Sequence, residues 1–166
     1  MMLYLQRHAI ADELAAGGDD GARQLAPHGR DRMQSIAGGM RALGLKFDVI
    51  LTSPLARATE TAEIVSAAYQ NIPPPQVLPA LGTGVSPADA AAALKSFARH
   101  GHVMIVGHEP QLSALASLLL TGSTDALHID LKKGGCIAIE LPNRSGKGGP
   151  ELRWILTPRQ LRRLRK

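Results

Sequence analysis

Residues 3–9, with the sequence LYLQRHA, are the stretch from which the fold can be worked out. The apolar residues at its start are typical of a β-strand, and the strand leads directly into adjacent arginine and histidine side chains, Arg7 and His8. In α/β proteins, ligands bind at the carboxyl ends of the strands. A guanidinium beside an imidazole at such an end indicates an anion site that also holds a nucleophile or an acid–base group. Taken alone, however, an Arg-His pair is common, and two solvated polar residues at a strand end are the favoured interpretation.

The composition limits the class of protein. The chain has 166 residues, of which 45% are hydrophobic and 20% are charged, and these values fit one soluble domain, residues 1–166, with a sizeable core. The lone cysteine, Cys136, excludes an intrachain disulfide and a cysteine-based metal cluster. The N-terminus lacks the basic start of a signal peptide, and the apolar run near residues 112–120 is too short to cross a bilayer. We therefore expect a cytoplasmic protein without membrane contact.

The net charge of +5 is concentrated near the end of the chain, from about residue 159. A basic tail is compatible with nucleic acid or an acidic partner. This tail has no interleaved aromatic residues, however, and the spacing of Leu161 and Leu164 favours a solvated terminal helix. Nucleic-acid binding is therefore not expected. The basic residues of the tail are Arg159, Arg162, Arg163, Arg165 and Lys166.

Strand-like and helix-like segments alternate along most of the chain. Apolar stripes at helical spacing predict helices over residues 29–43, 54–69, 87–99 and 111–120. Short apolar runs predict strands over residues 47–51, 76–78, 102–106, 136–141 and 152–156, the last two joined by a loop over 142–150. This order predicts an α/β three-layer sandwich, with a mostly parallel central sheet, helices on both faces and a C-terminal antiparallel hairpin.

Unusual polar side chains follow three of the predicted strands. In a parallel sheet these strand ends meet at one edge, so two guanidiniums and two imidazoles would surround one crevice. The expected ligand is a phosphoryl group, because arginine binds its oxygens through bidentate, charge-assisted hydrogen bonds. The start of the helix after the second strand adds backbone N–H donors. The polar residues are Arg7 and His8, Ser53 and Arg57, and His108 and Glu109.

Three blocks of sequence resemble the histidine phosphatase superfamily, which has the phosphoglycerate mutase-like fold. Residues 7–9 (RHA) look like its Arg-His-Gly signature, and residues 53–62 (SPLARATETA) are similar to its second block. Residues 106–110 (VGHEP) resemble its third block, which carries a second histidine. The short length, without a helical insertion, looks most like the SixA group of phosphohistidine phosphatases.

The resemblance implies a mechanism that needs no metal or other cofactor. His8 would attack phosphorus and form a phosphohistidine intermediate, while Arg7, Arg57 and His108 would bind the phosphoryl oxygens. The implied partner is a phosphorylated protein, such as a phosphohistidine domain, or a small phosphorylated molecule, and the chain is expected to be a monomer. The alternatives are a phosphomonoesterase or phosphomutase acting on a small metabolite, and a non-catalytic phosphate-binding module on the same fold.

The donor of the leaving-group proton is the main departure from the family pattern. Many relatives place a glutamate in the loop after the third strand, but residues 78–84 (LPALGTG) contain no carboxylate. The nitrogen leaving group of a phosphoramidate is more basic and can be protonated before the bond breaks, so the missing glutamate favours phosphohistidine over an alkyl phosphate. The other candidate acids are Asp12, Glu13, Asp19 and Asp20, followed by Glu109; for Asp19 and Asp20 a solvated loop is the favoured interpretation.

Ser53 has two interpretations. Its hydroxyl could donate a hydrogen bond towards the phosphate, or it could cap the helix that follows, and the helix cap is favoured. The candidate residues for substrate binding, beyond the four proposed catalytic ones, are therefore Ser53, Glu109, Asp12 and Asp19.

Overall fold

The fold is a six-stranded mixed sheet with helices on both faces, in a computed structural model that describes residues 1–14, 16–142 and 148–165. The strand order is β3-β2-β4-β1-β5-β6. The first four of these strands run parallel, β5 is antiparallel to β1, and β6 is antiparallel to β5. The strands are β1 (Met2–Arg7), β2 (Val49–Thr52), β3 (Gln76–Val77), β4 (His102–Gly107), β5 (Cys136–Glu140) and β6 (Glu151–Leu156).

The helices form the two outer layers of a sandwich. They are α1 (Pro27–Ala42), α2 (Ala56–Ala67), α3 (Pro87–Leu94), α4 (Gln111–Thr121) and α5 (Pro158–Leu164). Tyr4 of β1 packs into the core that α1, α2 and α5 cover. Its neighbours Leu3 and Leu5 point to the opposite face and pack into the core under α3 and α4. The predicted sandwich and C-terminal hairpin are both confirmed, although much of the hairpin's connecting loop lies outside the described residues.

Several predicted helix boundaries are wrong, including the start of α1, at Pro27, and the end of α2, at Ala67. Two of the differences have a visible local cause. Helix α2 begins at Ala56, because Leu55 is still extended and takes the N-cap position without a side-chain hydrogen bond. The predicted cap by Ser53 is therefore not formed. Helix α3 ends at Leu94, since the chain tightens there into a 3₁₀ turn over Lys95–Phe97, a common ending for an α-helix.

Helix α5 is docked onto α1 more closely than a solvated terminal helix would be. Leu161 is fully buried, and a Cβ atom on Gly39 of α1 would lie only 1.8 Å from the Leu161 carbonyl oxygen. Thr157 and Gln160 form a reciprocal capping box at the start of α5. The expectation of a solvated helix therefore holds only for the outer face. Among the described helices, none has the length and apolar character needed to span a bilayer.

The strand register brings the predicted site residues to one edge of the sheet. Arg7 at the end of β1 lies beside Gly107 of β4, and Thr52 of β2 lies beside Val106. The residues that follow these three strands, His8, Ser53 and His108, are therefore neighbours. Their proximity is a consequence of parallel pairing, because the carboxyl ends of parallel strands meet at the same edge.

Candidate active site

His8 lies at the centre of this edge and is 6% exposed. Its Nδ1 atom is 2.6 Å from the carbonyl oxygen of Ala9. A carbonyl oxygen can only accept a hydrogen bond, so Nδ1 carries the proton and the neutral ring has an unprotonated Nε2. The backbone N–H of Ala9 donates to Thr61 Oγ1 at 3.0 Å, and that hydroxyl donates to the Arg57 carbonyl at 2.7 Å. These bonds fix the imidazole relative to α2.

The surroundings of His8 keep its imidazole neutral. Burial is the largest effect and lowers the pKa of His8 to about 3, although the bond to Ala9 acts in the opposite direction. His108 and the positive charges of Arg57 and Arg7 also contribute to this lowered pKa. At neutral pH the ring is therefore a free base, which is the form that can act as a nucleophile.

His108 faces His8 across the crevice, with the ring centroids 5.0 Å apart. Its Nε2 atom is hydrogen-bonded to Ser53 Oγ at 2.8 Å. Burial, and then the charge of Arg57, lowers the pKa of His108 to about 4. Its Nδ1 atom is buried and has no hydrogen-bond partner among the described residues. Ser53 therefore orients the second histidine instead of capping α2.

Two arginines converge on the histidines from different elements. Arg57 comes from the first turn of α2 and is only 4% exposed, while Arg7 comes from the end of β1. One terminal nitrogen of Arg7 donates to the Leu131 carbonyl at 2.7 Å. In both side chains the Nε atom is buried without a partner within the described ranges. Buried donors are nearly always hydrogen-bonded in proteins, so these atoms indicate a place for an anionic ligand.

Asp20 and Arg23 also belong to the site. The sequence indicates Asp20 only as a candidate acid, with a solvated loop as the favoured interpretation, and gives no indication for Arg23. Arg57 Nη1 donates to the Asp20 carbonyl oxygen at 2.7 Å, and Arg57 Nη2 donates to Asp20 Oδ2 at 3.0 Å. The other carboxylate oxygen, Oδ1, lies 2.8 Å from Arg23 Nη2. Desolvation acts to raise the pKa of Asp20, but Arg57 and then Arg23 outweigh it, so the pKa is lowered. Asp20 is therefore ionised at neutral pH.

The remaining sequence candidates make contacts of other kinds. Asp19 Oδ1 accepts from the Gly21 N–H at 2.8 Å, which shapes their own loop. The side chain of Asp12 is exposed, and its backbone N–H donates to the Gln24 carbonyl. Both carboxylate oxygens of Glu109 accept from Ser113 in the first turn of α4. The structure therefore brings Ser53 into the crevice with the four proposed catalytic residues and places Asp12, Asp19 and Glu109 in local contacts.

The glutamate that many relatives carry after the third strand has no acidic counterpart here. Residues 78–84 form a 3₁₀ turn over Pro79–Leu81 and a loop instead. This loop is held to α4 by Gln111, whose Nε2 donates to the carbonyls of Ala80 and Val85 at 3.0 and 2.9 Å. In the described part of the chain, no group of three or more His, Cys, Asp or Glu side chains is arranged to hold a metal ion.

These features define a class of protein: an α/β sandwich with a cationic pocket around a buried, neutral imidazole. The family model for the histidine phosphatase superfamily (branch 1) matches residues 3–82, a range that includes β1, Ser53 and Arg57. The chain belongs to this superfamily, and its enzyme class is phosphatase.

Similar proteins extend the match over the whole chain. An uncharacterized protein of Picosynechococcus sp. is 40% identical over 141 residues, covering 84% of both chains. Phosphohistidine phosphatase SixA of Escherichia coli is 26% identical over 164 residues, covering 98% of this chain and 97% of that one. The solved structure of the protein histidine phosphatase SixA complexed with tungstate matches with a TM-score of 0.82 at 24% identity, covering 97% of this chain and 99% of that chain. The resemblance to the SixA group therefore holds for both sequence and fold.

Proposed function

We propose that the protein hydrolyses phosphohistidine in a protein substrate through a covalent intermediate on His8. His8 Nε2 attacks phosphorus, and the bond from phosphorus to the leaving nitrogen breaks as the new N–P bond forms. Water then attacks the phosphohistidine, the bond to Nε2 breaks, and inorganic phosphate leaves with His8 restored as the free base. The observation that carries this proposal is the Nδ1 bond to the Ala9 carbonyl, which presents Nε2 as the unprotonated nitrogen.

Two arginines and the second histidine around His8 supply the electrostatic part of the mechanism. Arg7, Arg57 and His108 would bind the three phosphoryl oxygens that carry charge in the transition state. The arginine Nε atoms and the His108 Nδ1 atom, which have no partner among the described residues, are the donors that would bind those oxygens. A non-catalytic phosphate-binding module would not need the buried neutral imidazole of His8 at the centre of these donors.

The carboxyl groups near the pocket favour a phosphoramidate substrate over an alkyl phosphate. Asp20 is ionised by its arginine partners and has no proton to give. Burial raises the pKa of Glu109, but both of its oxygens accept hydrogen bonds from Ser113 and are held in the first turn of α4. The nitrogen leaving group of a phosphoramidate is basic enough to be protonated before the N–P bond breaks, so its departure depends less on an acidic side chain of the enzyme. Similarity to the SixA phosphohistidine phosphatase supports the same choice.

The test of the mechanism is to trap the phosphoenzyme. Wild type, His8→Ala and His100→Ala are mixed with a labelled phosphohistidine peptide and quenched rapidly. We expect an acid-labile, base-stable label on the wild type and on His100→Ala, whose histidine lies at the opposite end of β4, and none on His8→Ala. A label that persists on His8→Ala would refute the mechanism. Addition of a chelator should leave the labelling unchanged, and its loss would indicate a metal enzyme.

The substrate class is tested separately by comparing kcat/KM for the phosphohistidine peptide and a sugar phosphate. The proposal requires a clear preference for the peptide. Comparable turnover, or a preference for the sugar phosphate, would identify a phosphomonoesterase that uses the same nucleophile. The cytoplasmic location, the single-domain organisation and the monomeric state remain predictions.

A further inference from the structure

We propose that Asp20 is a positioning residue of the phosphate pocket and that Arg23 is a further anion-binding residue beside Arg57. The carboxylate of Asp20 pairs with both guanidiniums: its Oδ2 contacts Arg57 and its Oδ1 contacts Arg23. We call Asp20, Arg23 and Arg57 the arginine clamp. This inference rests on the proposed function, because it concerns how the same pocket holds a phosphoryl group.

Asp20 binds one edge of the Arg57 guanidinium and leaves its other N–H donors available. The two terminal nitrogens each donate one hydrogen bond to Asp20, one to its carbonyl and one to its carboxylate. Guanidinium has further N–H groups, including the one on Nε. That Nε is buried, and no described residue accepts from it. The contact with Asp20 therefore orients the guanidinium without using all of its donors.

Arg23 is anchored in the same manner. Its Nη2 lies 2.8 Å from Asp20 Oδ1, and its Nη1 donates to the Asp12 carbonyl at 3.3 Å. Its Nε is buried with no partner in the described ranges, as in Arg7 and Arg57. The positive charge of Arg23 also contributes to the lowered pKa of His108, which places this charge near the pocket. Arg23 therefore offers a donor of the same kind as the two arginines recognised from the sequence.

The loop that carries Asp20 is itself tied to α2. The Gly21 carbonyl accepts from the backbone N–H of Ala56, the first residue of the helix, at 3.0 Å. A nearly buried guanidinium without an anionic partner would be strongly destabilised. Asp20 supplies that partner when no phosphate is bound, and it separates two positive side chains that would otherwise repel each other. A competing explanation is that Asp20 only occupies Arg57 and has to be displaced by the substrate.

The two explanations predict opposite results for Asp20→Ala and Asp20→Asn. If Asp20 positions Arg57, Asp20→Ala should weaken inhibition by inorganic phosphate and lower kcat/KM by roughly 10- to 100-fold, because small misplacements of catalytic groups have effects of this size. Asp20→Asn should lose less, since its amide oxygen can still accept from Arg57. Arg23→Gln should also weaken phosphate inhibition. Glu63→Gln, on the exposed side of α2, is the matched control and should behave like wild type.

Tighter phosphate inhibition together with a higher kcat/KM in both Asp20 variants would overturn the proposal in favour of competition. A double-mutant cycle gives a second criterion: in an Arg57→Gln background, Asp20→Ala should have little further effect, and additive losses would contradict the clamp. Thermal unfolding checks whether each variant is folded. If Asp20→Ala does not fold, the same measurements on Asp20→Asn and Arg23→Gln test the proposal. Direct calorimetric binding of inorganic phosphate keeps the clamp testable even if the proposed phosphohistidine substrate is wrong.

Discussion

The protein has two clusters of arginine residues, one in the pocket and one on α5, and their surroundings differ. In the pocket, Arg7, Arg23 and Arg57 are fixed by backbone carbonyls or by Asp20, and each has a buried Nε without a partner in the described ranges. On α5, the side chains of Arg159, Arg162 and Arg163 are exposed to solvent. Water and salt screen charges on the surface strongly, whereas buried charges interact at low dielectric. The same residue type is therefore fixed by protein contacts in one place and faces solvent in the other.

The difference arises from the fold and not from the local sequence. Arg57 and Arg162 both lie on short helices whose first turns contain no acidic residue. Helix α2 begins at the carboxyl edge of the sheet, where β1, β2 and β4 end, and its first turn faces His8. Helix α5 packs through Leu161 onto α1, and its arginines point away from that contact. Helix α2 follows β2, an inner strand of the sheet, whereas α5 follows β6, a strand at its outer edge, and this difference separates a buried arginine from the exposed ones.

The largest expected effect comes from removing the charge of Arg57. We expect Arg57→Gln to lower kcat/KM about 100- to 1,000-fold, the range found when one preorganised donor to a transition state is removed. Arg162→Gln is the matched substitution on α5 and should change kcat/KM less than about twofold, because an exposed cation is screened by solvent. Steady-state kinetics on the phosphohistidine peptide measure both variants. Equal losses would mean that overall positive charge, and not the pocket, drives catalysis.

The sequence was sufficient for the architecture and for the convergence of Arg7, His8, Arg57 and His108, because apolar periodicity and the three family blocks both bear on those positions. Their catalytic roles remain predictions. Of the two roles left open for Ser53, the favoured helix cap is wrong, since a serine before a helix has the same local pattern whether it caps the helix or contacts a distant histidine. The sequence also could not single out Asp20. Asp12, Glu13, Asp19 and Asp20 lie in one loop, and only the path of that loop over α2 decides which carboxylate reaches Arg57.

A second, smaller effect concerns pH and stability. Burial lowers the pKa of His8 to about 3 and that of His108 to about 4 from the ordinary value of 6.5. Below about pH 7 the unfolded chain therefore binds more protons than the folded chain, and the free energy of unfolding falls as the pH decreases. At about pH 5 the loss should be roughly 2 kcal/mol for each histidine.

This pH effect distinguishes the pocket from the rest of the surface. His8→Asn removes one of the two titrating groups, so its stability should fall less between about pH 7 and pH 5 than that of the wild type. His100→Ala, outside the pocket, is the control and should keep the wild-type dependence. Urea denaturation at several pH values measures both. An unchanged slope in His8→Asn would mean that the imidazole is not desolvated in the folded protein.

The smallest effect is expected on α5, where Arg159, Arg162 and Arg163 are all replaced by glutamine. The helix is held by buried Leu161 and by the Thr157–Gln160 capping box, neither of which involves these charges. Surface substitutions of this kind usually change stability by less than about 0.5 kcal/mol, so both the free energy of unfolding and kcat/KM on a short phosphohistidine peptide should stay close to wild type. A large loss of activity on an intact phosphoprotein alone would show that α5 guides a protein substrate to the pocket. A large loss on the short peptide as well would contradict the distinction between the buried arginines of the pocket and the exposed arginines of α5, because Arg159, Arg162 and Arg163 are exposed and form no hydrogen bond or ion pair with the pocket among the described residues.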